Sequence, residues 1–263
     1  MKQLWAVLSY AKYLLNSKSR YKTHSPFVYE FINEVLRNKK DYPEFGKLHE
    51  HRKTITKSSS VVETVDFGSR AGVKQYVTYI EKVGELSSKR THSKKRLELL
   101  FRLARYFRPK QILEMGTCVG FSSLYLKEGF PEAKLTTMEG CAGLAGIADE
   151  GFRKFNFNNI NLITGNFNNT LESSLKNIET IDLAFFDGNH QEKPTLYYFE
   201  KCMEKMNDDS IFVFDDIHYS PGMDRAWKTI CRDPRVSFTI DIFWCGFVFF
   251  KKDIAKQNFV IRY

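Results

Sequence analysis

Hydrophobic and polar positions follow one rhythm before residue 110 and another after it. In the first stretch the apolar residues recur at helical spacing. Leu4, Leu8, Ala11 and Leu15 fall on one face of a helix over 4–15, with Val7 and Leu14 beside them. Trp5 and Tyr13 flank this stripe, and Lys2, Lys12 and Lys18 lie on other faces. The pattern predicts a helix docked on its own domain or on a second subunit; attachment to a membrane surface is the less favoured reading. Ser25-Pro26 has the chemistry of an N-cap and a first helical residue, with Val28, Phe31, Ile32 and Val35 as the buried stripe behind it. Residues 38–60 are polar and basic and are expected to form a loop or linker. Leu97, Leu100, Phe101 and Ala104 line a helix over 94–108, which Pro109 stops.

After residue 110 short apolar runs alternate with helical segments. Strands are expected at 111–115, 133–139, 161–165, 181–187 and 210–216, with helices at 142–155, 192–206 and near 222–232. Residues 237–243 and 246–250 flank a short turn at Trp244-Cys245 and read as a terminal hairpin. Alternation of this kind predicts a parallel sheet with helices on both faces. Ligands of such sheets bind at the carboxyl ends of the strands. Four of the five expected strands finish in carboxylates: Glu114, Glu139, Asp187 and the pair Asp215-Asp216.

The first of these strands runs Gln111-Ile112-Leu113-Glu114-Met115-Gly116-Thr117-Cys118-Val119-Gly120 and enters a helix at Phe121-Ser122. Glycine lets backbone approach a ligand closely, and the following helix aims unpaired N–H groups into the turn. A dinucleotide fingerprint spells G-x-G-x-x-G. Here the pattern is E-x-G-x-x-x-G, whose carboxylate repels phosphate and suits a ligand carrying positive charge or donors. Asp66-Phe67-Gly68-Ser69-Arg70-Ala71-Gly72 repeats the spelling after Val61, Val62 and Val65, but the polar, basic run 87–95 follows it. Residues 61–72 are therefore expected to be a turn that covers the substrate side.

The Glu114–Gly120 segment resembles motif I of the class I S-adenosylmethionine (SAM) methyltransferases, and the resemblance covers residues 105–252. It implies a Rossmann-like α/β fold with a seven-stranded sheet. It also implies that SAM is held by Glu114, Gly116, Thr117, Gly120, Ser122, Glu139, Gly140, Asn166, Phe167 and Asp187. Glu139 would accept the ribose hydroxyls, while Asn166 and Phe167 would meet the adenine. Asp187-Gly188-Asn189-His190 together with Asp215-Asp216 is similar to the metal-dependent O-methyltransferases of the catechol and macrolide-sugar type. That likeness implies a Mg²⁺ on Asp187, Asp215 and Asp216, with His190 and Asp187 as catalytic residues and His218 as a rival base. Asn189 stands where the sugar type keeps an acid, which speaks against a sugar substrate. Each of these acids also has a plain reading: Glu139 and Asp215-Asp216 as caps of the helices that follow, Asp187 as a lining residue.

Composition narrows the function further. The chain has 263 residues, of which 43% are hydrophobic and 23 are Phe, enough to build a full core. No apolar run approaches the ~20 residues of a membrane span. The five cysteines form no C-x-x-C pair and read as reduced thiols of a cytoplasmic protein. Residues 1–110 hold 24 Lys and Arg against 10 Asp and Glu, a balance of +14, whereas residues 111–263 balance at −5. The expected organisation is a helical, basic extension over 1–104, serving as a lid or a homodimer contact, and a SAM-binding domain over 105–263. The expected activity is methylation of a small-molecule hydroxyl. An RNA or other polyanion acceptor guided by the basic segment, and a SAM-binding scaffold without turnover, are the alternatives.

Overall fold

The computed structural model describes residues 2–19, 25–66, 77–252 and 254–263. They divide into two compact units, one of residues 38–177 and one of residues 1–37 with 178–263.

The chain opens with helix α1 (Lys2–Asn16) and the short helix α2 (Pro26–Phe31), which continues as a π-helical turn over Ile32–Leu36. Ser25 caps α2 as expected, its hydroxyl accepting from the Val28 N–H, and Val28, Phe31, Ile32 and Val35 are buried. Helix α1 docks on its own unit, one of the two expected arrangements, but not through its leucine stripe. Leu8 is 58% and Leu15 87% exposed, and Leu4 and Val7 are equally bare. The flanking aromatics are the anchors: Trp5 Nε1 donates to the His218 carbonyl (3.1 Å), and the buried Tyr13 hydroxyl donates to the Ile261 carbonyl (2.6 Å). A large ring with a polar tip can bury its face and satisfy its donor together, which an aliphatic stripe cannot.

The unit 38–177 corrects a second expectation. Residues 44–56 are not a linker but helix α3 (Glu44–Thr56), whose Phe45, Leu48 and His51 recur every three residues on its buried side. Antiparallel strands β1 (Val61–Asp66) and β2 (Val77–Lys82) follow, so 61–66 is a strand rather than a turn; residues 67–72 lie outside the described residues. Helix α4 (Val83–Arg90) leads to helix α5 (Lys94–Phe107), capped by Ser93. Then come parallel strands β3 (Gln111–Met115), β4 (Lys134–Glu139) and β5 (Ile160–Thr164), alternating with helices α6 (Phe121–Gly129), α7 (Ala142–Lys154) and α8 (Phe167–Lys176). Phe45, Leu48, Leu97, Phe101, Leu124, Tyr125 and Phe152 share one core. Each such side chain contributes ~1.5–3 kcal/mol on burial.

The remaining unit runs β6 (Ile181–Phe186), α9 (Glu192–Met203), β7 (Met206–Asp215), α10 (Pro221–Arg232), β8 (Phe238–Asp241), β9 (Cys245–Phe249) and β10 (Gln257–Val260). Strands β6 and β7 are parallel, and the expected hairpin β8–β9 is present with β9 antiparallel to β7. Strand β10, parallel to β8, was not expected; it adds a strand beyond the seven. The carboxyl ends of β6, β7, β8 and β10 therefore face one edge. Phe27 and Phe31 pack edge-on against Phe249, and Phe31 also against Phe247. No described helix is long and apolar enough to cross a membrane.

Candidate functional site

The turn after β3 is built from unusual backbone. Gly116 (φ +110°), Cys118 (φ +50°) and Gly120 (φ +82°) all lie in the left-handed region. The Met138 carbonyl accepts from both the Gly116 and Thr117 N–H groups (2.9 and 3.1 Å), which ties the turn to β4. Gly120 has a second reason to be glycine: a Cβ there would sit 3.0 Å from Ala148 Cβ and from Phe152 Cε1 on α7. The turn is thus wedged against its neighbour helix. Ser122 follows it, buried in the first turn of α6.

Glu114 is fully buried, and its Oε2 accepts from the Thr137 hydroxyl (2.6 Å) and from the Ser123 hydroxyl. Thr117 and Thr137 share a further hydroxyl–hydroxyl bond of 2.6 Å. Sequence reasoning found Glu114 but missed Ser123 and Thr137, whose hydroxyls on buried faces were the available signal.

Glu139 closes β4 with both oxygens engaged. Oε2 accepts from the Cys118 N–H (2.7 Å) in the glycine turn, and Oε1 from the Cys141 N–H (2.9 Å) at the head of α7. The helix-head role and a turn-clasping role therefore coexist in one side chain. Burial raises its pKa, opposed by the N–H groups of Cys141, Cys118 and Gly140. Strand β1 lies alongside, the Cys141 thiol bonding the Glu63 carbonyl. Asn166 caps α8, accepting from the Asn168 N–H (3.0 Å), and Phe167 is the first residue of that helix, half-buried.

In the other unit the ends of β6 and β7 bring ionisable groups together. His190 Nε2 stands 3.7 Å from Asp187 Oδ1. A ligand atom from each of His190, Asp215 and Asp216 falls within 4.8 Å of the others, and oxygens of Asp187 and Asp215 are equally close. Asp215 is buried. Asn189 (φ +51°) and Asp216 (φ +52°) hold left-handed backbone, which Asn and Asp tolerate best after glycine. The Asp216 N–H donates to the Trp244 carbonyl (2.6 Å). The acid pair does not cap α10; Ser220 does, accepting from the Met223 N–H (3.1 Å). Among the described non-glycine residues with positive φ, Cys118, Asn189 and Asp216 lie in the glycine turn and the acid segments, and Arg108, Asn156 and Phe243 lie elsewhere.

His218 is placed differently from a free base. Its Nδ1 lies 3.1 Å from Asp224 Oδ1 and its Nε2 2.8 Å from Asp241 Oδ2. Burial pulls its pKa down, but the two carboxylates outweigh this and hold it above the ordinary imidazole value. Both ring nitrogens are occupied, so its visible role is to bridge two acids.

Residues 113–217 match the family model described as a methyltransferase domain. No curated protein matches the chain. Among solved structures, a Podospora anserina methyltransferase bound to S-adenosylhomocysteine (SAH) is 17% identical, with a TM-score of 0.60 over 88% of this chain and 97% of its own. A Bacillus cereus O-methyltransferase in complex with SAH is 18% identical, with a TM-score of 0.55 over 84% and 95%. The Streptomyces achromogenes O-methyltransferase of tomaymycin synthesis, in complex with SAM, is 16% identical, with a TM-score of 0.55 over 85% and 95%. At these identities the likeness shows the fold, a Rossmann-like α/β scaffold.

Proposed function

We propose that this methyltransferase-domain protein transfers a methyl group from SAM to the oxygen of a small molecule. The observation that carries the reading is Glu139, a carboxylate fixed at the end of β4 by the Cys118 and Cys141 N–H groups. An anionic acceptor held in that way meets both hydroxyls of a ribose without reorganising. Gly116, Thr117, Gly120 and Ser122 line the methionine side of the cofactor, Gly140 supports the ribose, and Glu114 holds the turn's shape through Ser123 and Thr137. Asn166 and Phe167 are assigned to adenine, and Asp187 is shared between cofactor and acceptor. Two fold relatives are O-methyltransferases solved with SAH or SAM, which supports this cofactor and oxygen as the acceptor atom.

His190 is the proton acceptor for the substrate hydroxyl, with Asp187 beside it to orient and stabilise the imidazolium. We assign Mg²⁺ to the oxygens of Asp187, Asp215 and Asp216, of which Asp215 lies within 4.8 Å of each of the other two; hard oxygen ligands suit that ion. Bound there, the ion would lower the pKa of the substrate hydroxyl. The acceptor, a small hydroxylated molecule, is turned so that its oxygen lies in line with the sulfonium methyl, and that alignment is the larger part of the rate.

A calorimetric titration with SAH, with and without Mg²⁺, tests the cofactor reading. One-to-one binding that Glu139→Ala removes is the expected result; absence of binding in both conditions would leave the turn a structural relic and overturn the cofactor reading. His190→Ala should lower kcat ~10²–10⁴-fold while SAH binding stays unchanged. Asp215→Ala should abolish Mg²⁺-dependent turnover. Full activity in EDTA would remove the metal from the scheme and leave the rest standing.

A further inference from the structure

A cavity of about 460 Å³ lies within the unit of residues 1–37 and 178–263, under the helix α1 that no motif explains. It falls in the size range of small-molecule sites. Trp5 and Tyr13 of α1, Trp227 of α10 and Phe259 of β10 give it four aromatic walls. These walls are fixed rather than adaptable. The Trp227 indole lies so close to Gly246 that a Cβ there would come within 2.5–2.9 Å of the ring, and Trp5 and Tyr13 are held by their hydrogen bonds to the His218 and Ile261 carbonyls.

The ionic groups of the lining divide in an informative way. Asp241 is bound to His218, and Asp224 is bound to both His218 and Lys228. Lys12 alone among the lining ions makes no ion pair with the described residues. The cavity therefore offers rigid aromatic surface, internally neutralised acids and one uncommitted ammonium at its rim.

We propose that this cavity binds an aromatic carboxylate, its ring against Trp5, Trp227 and Phe259 and its carboxylate on Lys12. Stacking on these rings supplies the attraction, and the Lys12 ammonium selects the sign of charge. The inference does not rest on the methyltransferase reading, because none of these residues is assigned to SAM or to the proton acceptor.

Calorimetric titration of the full chain with naphthoate, naphthalenemethanol and naphthylmethylamine tests it. Naphthoate should bind one-to-one and at least about tenfold tighter than the alcohol or the amine, and Lys12→Glu should weaken it about tenfold. Lys12 is exposed, so that variant should melt like the parent. Saturating SAH should leave naphthoate binding intact. Equal binding of the three probes, or full naphthoate affinity in a folded Lys12→Glu protein, would overturn the assignment, as would the absence of naphthoate binding.

Discussion

The glycine turn of one unit and the acid clusters of the other treat charge in opposite ways. In residues 38–177 each carboxylate of the glycine turn is wrapped singly by donors of the protein: Glu114 by Ser123 and Thr137, Glu139 by the Cys118 and Cys141 N–H groups. In the other unit acids and imidazoles are set against one another, as in the His190–Asp215–Asp216 group and the Asp224–His218–Asp241 bridge. A singly wrapped carboxylate has its charge and geometry settled before any ligand arrives, which suits recognition. Acids and imidazoles gathered in one neighbourhood can pass a proton between them, which suits chemistry. The difference predicts that the first set governs cofactor affinity and the second governs turnover.

The largest effect should come from testing that split directly. Glu139→Ala removes a carboxylate that would accept two hydroxyl groups, so SAH affinity should fall ~100-fold or more, given ~1.5–3 kcal/mol for each bond to a charged group. Asp215→Ala should leave SAH affinity within about twofold. The pair of titrations breaks the comparison if Asp215→Ala loses SAH as severely as Glu139→Ala does.

Next in size is the cost of the turn itself. Gly120→Ala must place a Cβ 3.0 Å from Ala148 and Phe152 while holding φ at +82°. Overpacking costs ~1–3 kcal/mol and the left-handed backbone a further ~1–2 kcal/mol. Urea unfolding should therefore report a loss of ~2–5 kcal/mol. In the other unit Gly246→Ala meets the Trp227 ring, at ordinary backbone, and should lose ~1–3 kcal/mol while reshaping the cavity under α1. A Gly120→Ala protein as stable as the parent would show that the turn relaxes freely and is no rigid cradle.

Much of this contrast was legible in the sequence, and the exceptions share a cause. The acids were visible because a strand that ends in a carboxylate is a local pattern, and β3, β4, β6 and β7 lie within a few residues of their expected limits. Helix α3 was hidden because its buried side is Phe45, Leu48 and His51 among Lys47, Glu50, Arg52 and Lys53; a buried histidine leaves no apolar mark. The Leu stripe of α1 is not what docks the helix on its own unit, because periodicity identifies a face but not its partner. Tyr13 reaches a carbonyl of Ile261, 248 residues away, and no local rule contains that contact. Strand β10 is short and half polar, and only its pairing with β8 makes it a strand. What sequence missed was in each case settled by a long-range partner.

The smallest expected effect sharpens the comparison most, because it uses one histidine from each unit. His51 is buried between Phe121 and Phe155, and burial, helped by Lys154, lowers its pKa. His218 is also buried, yet Asp241 and Asp224 raise its pKa, with Lys228 the cation opposite on Asp224. Relative to an unfolded value of about 6.5, the two contribute with opposite sign. The folded state favours neutral His51, so its contribution is present above about pH 6.5 and is lost as pH falls through the lowered folded value. The folded state favours charged His218, so its contribution is present below about pH 6.5 and is lost as pH rises through the raised folded value. Denaturation midpoints followed across pH should show His51→Leu removing part of the acid-side loss of stability, and His218→Gln costing most in mild acid and least in alkali. Identical pH profiles for parent and His51→Leu would mean that the imidazole titrates alike folded and unfolded. A His218→Gln deficit that stays constant with pH would reduce the Asp224–His218–Asp241 bridge to neutral hydrogen bonds, and with it the distinction between wrapped and gathered charge.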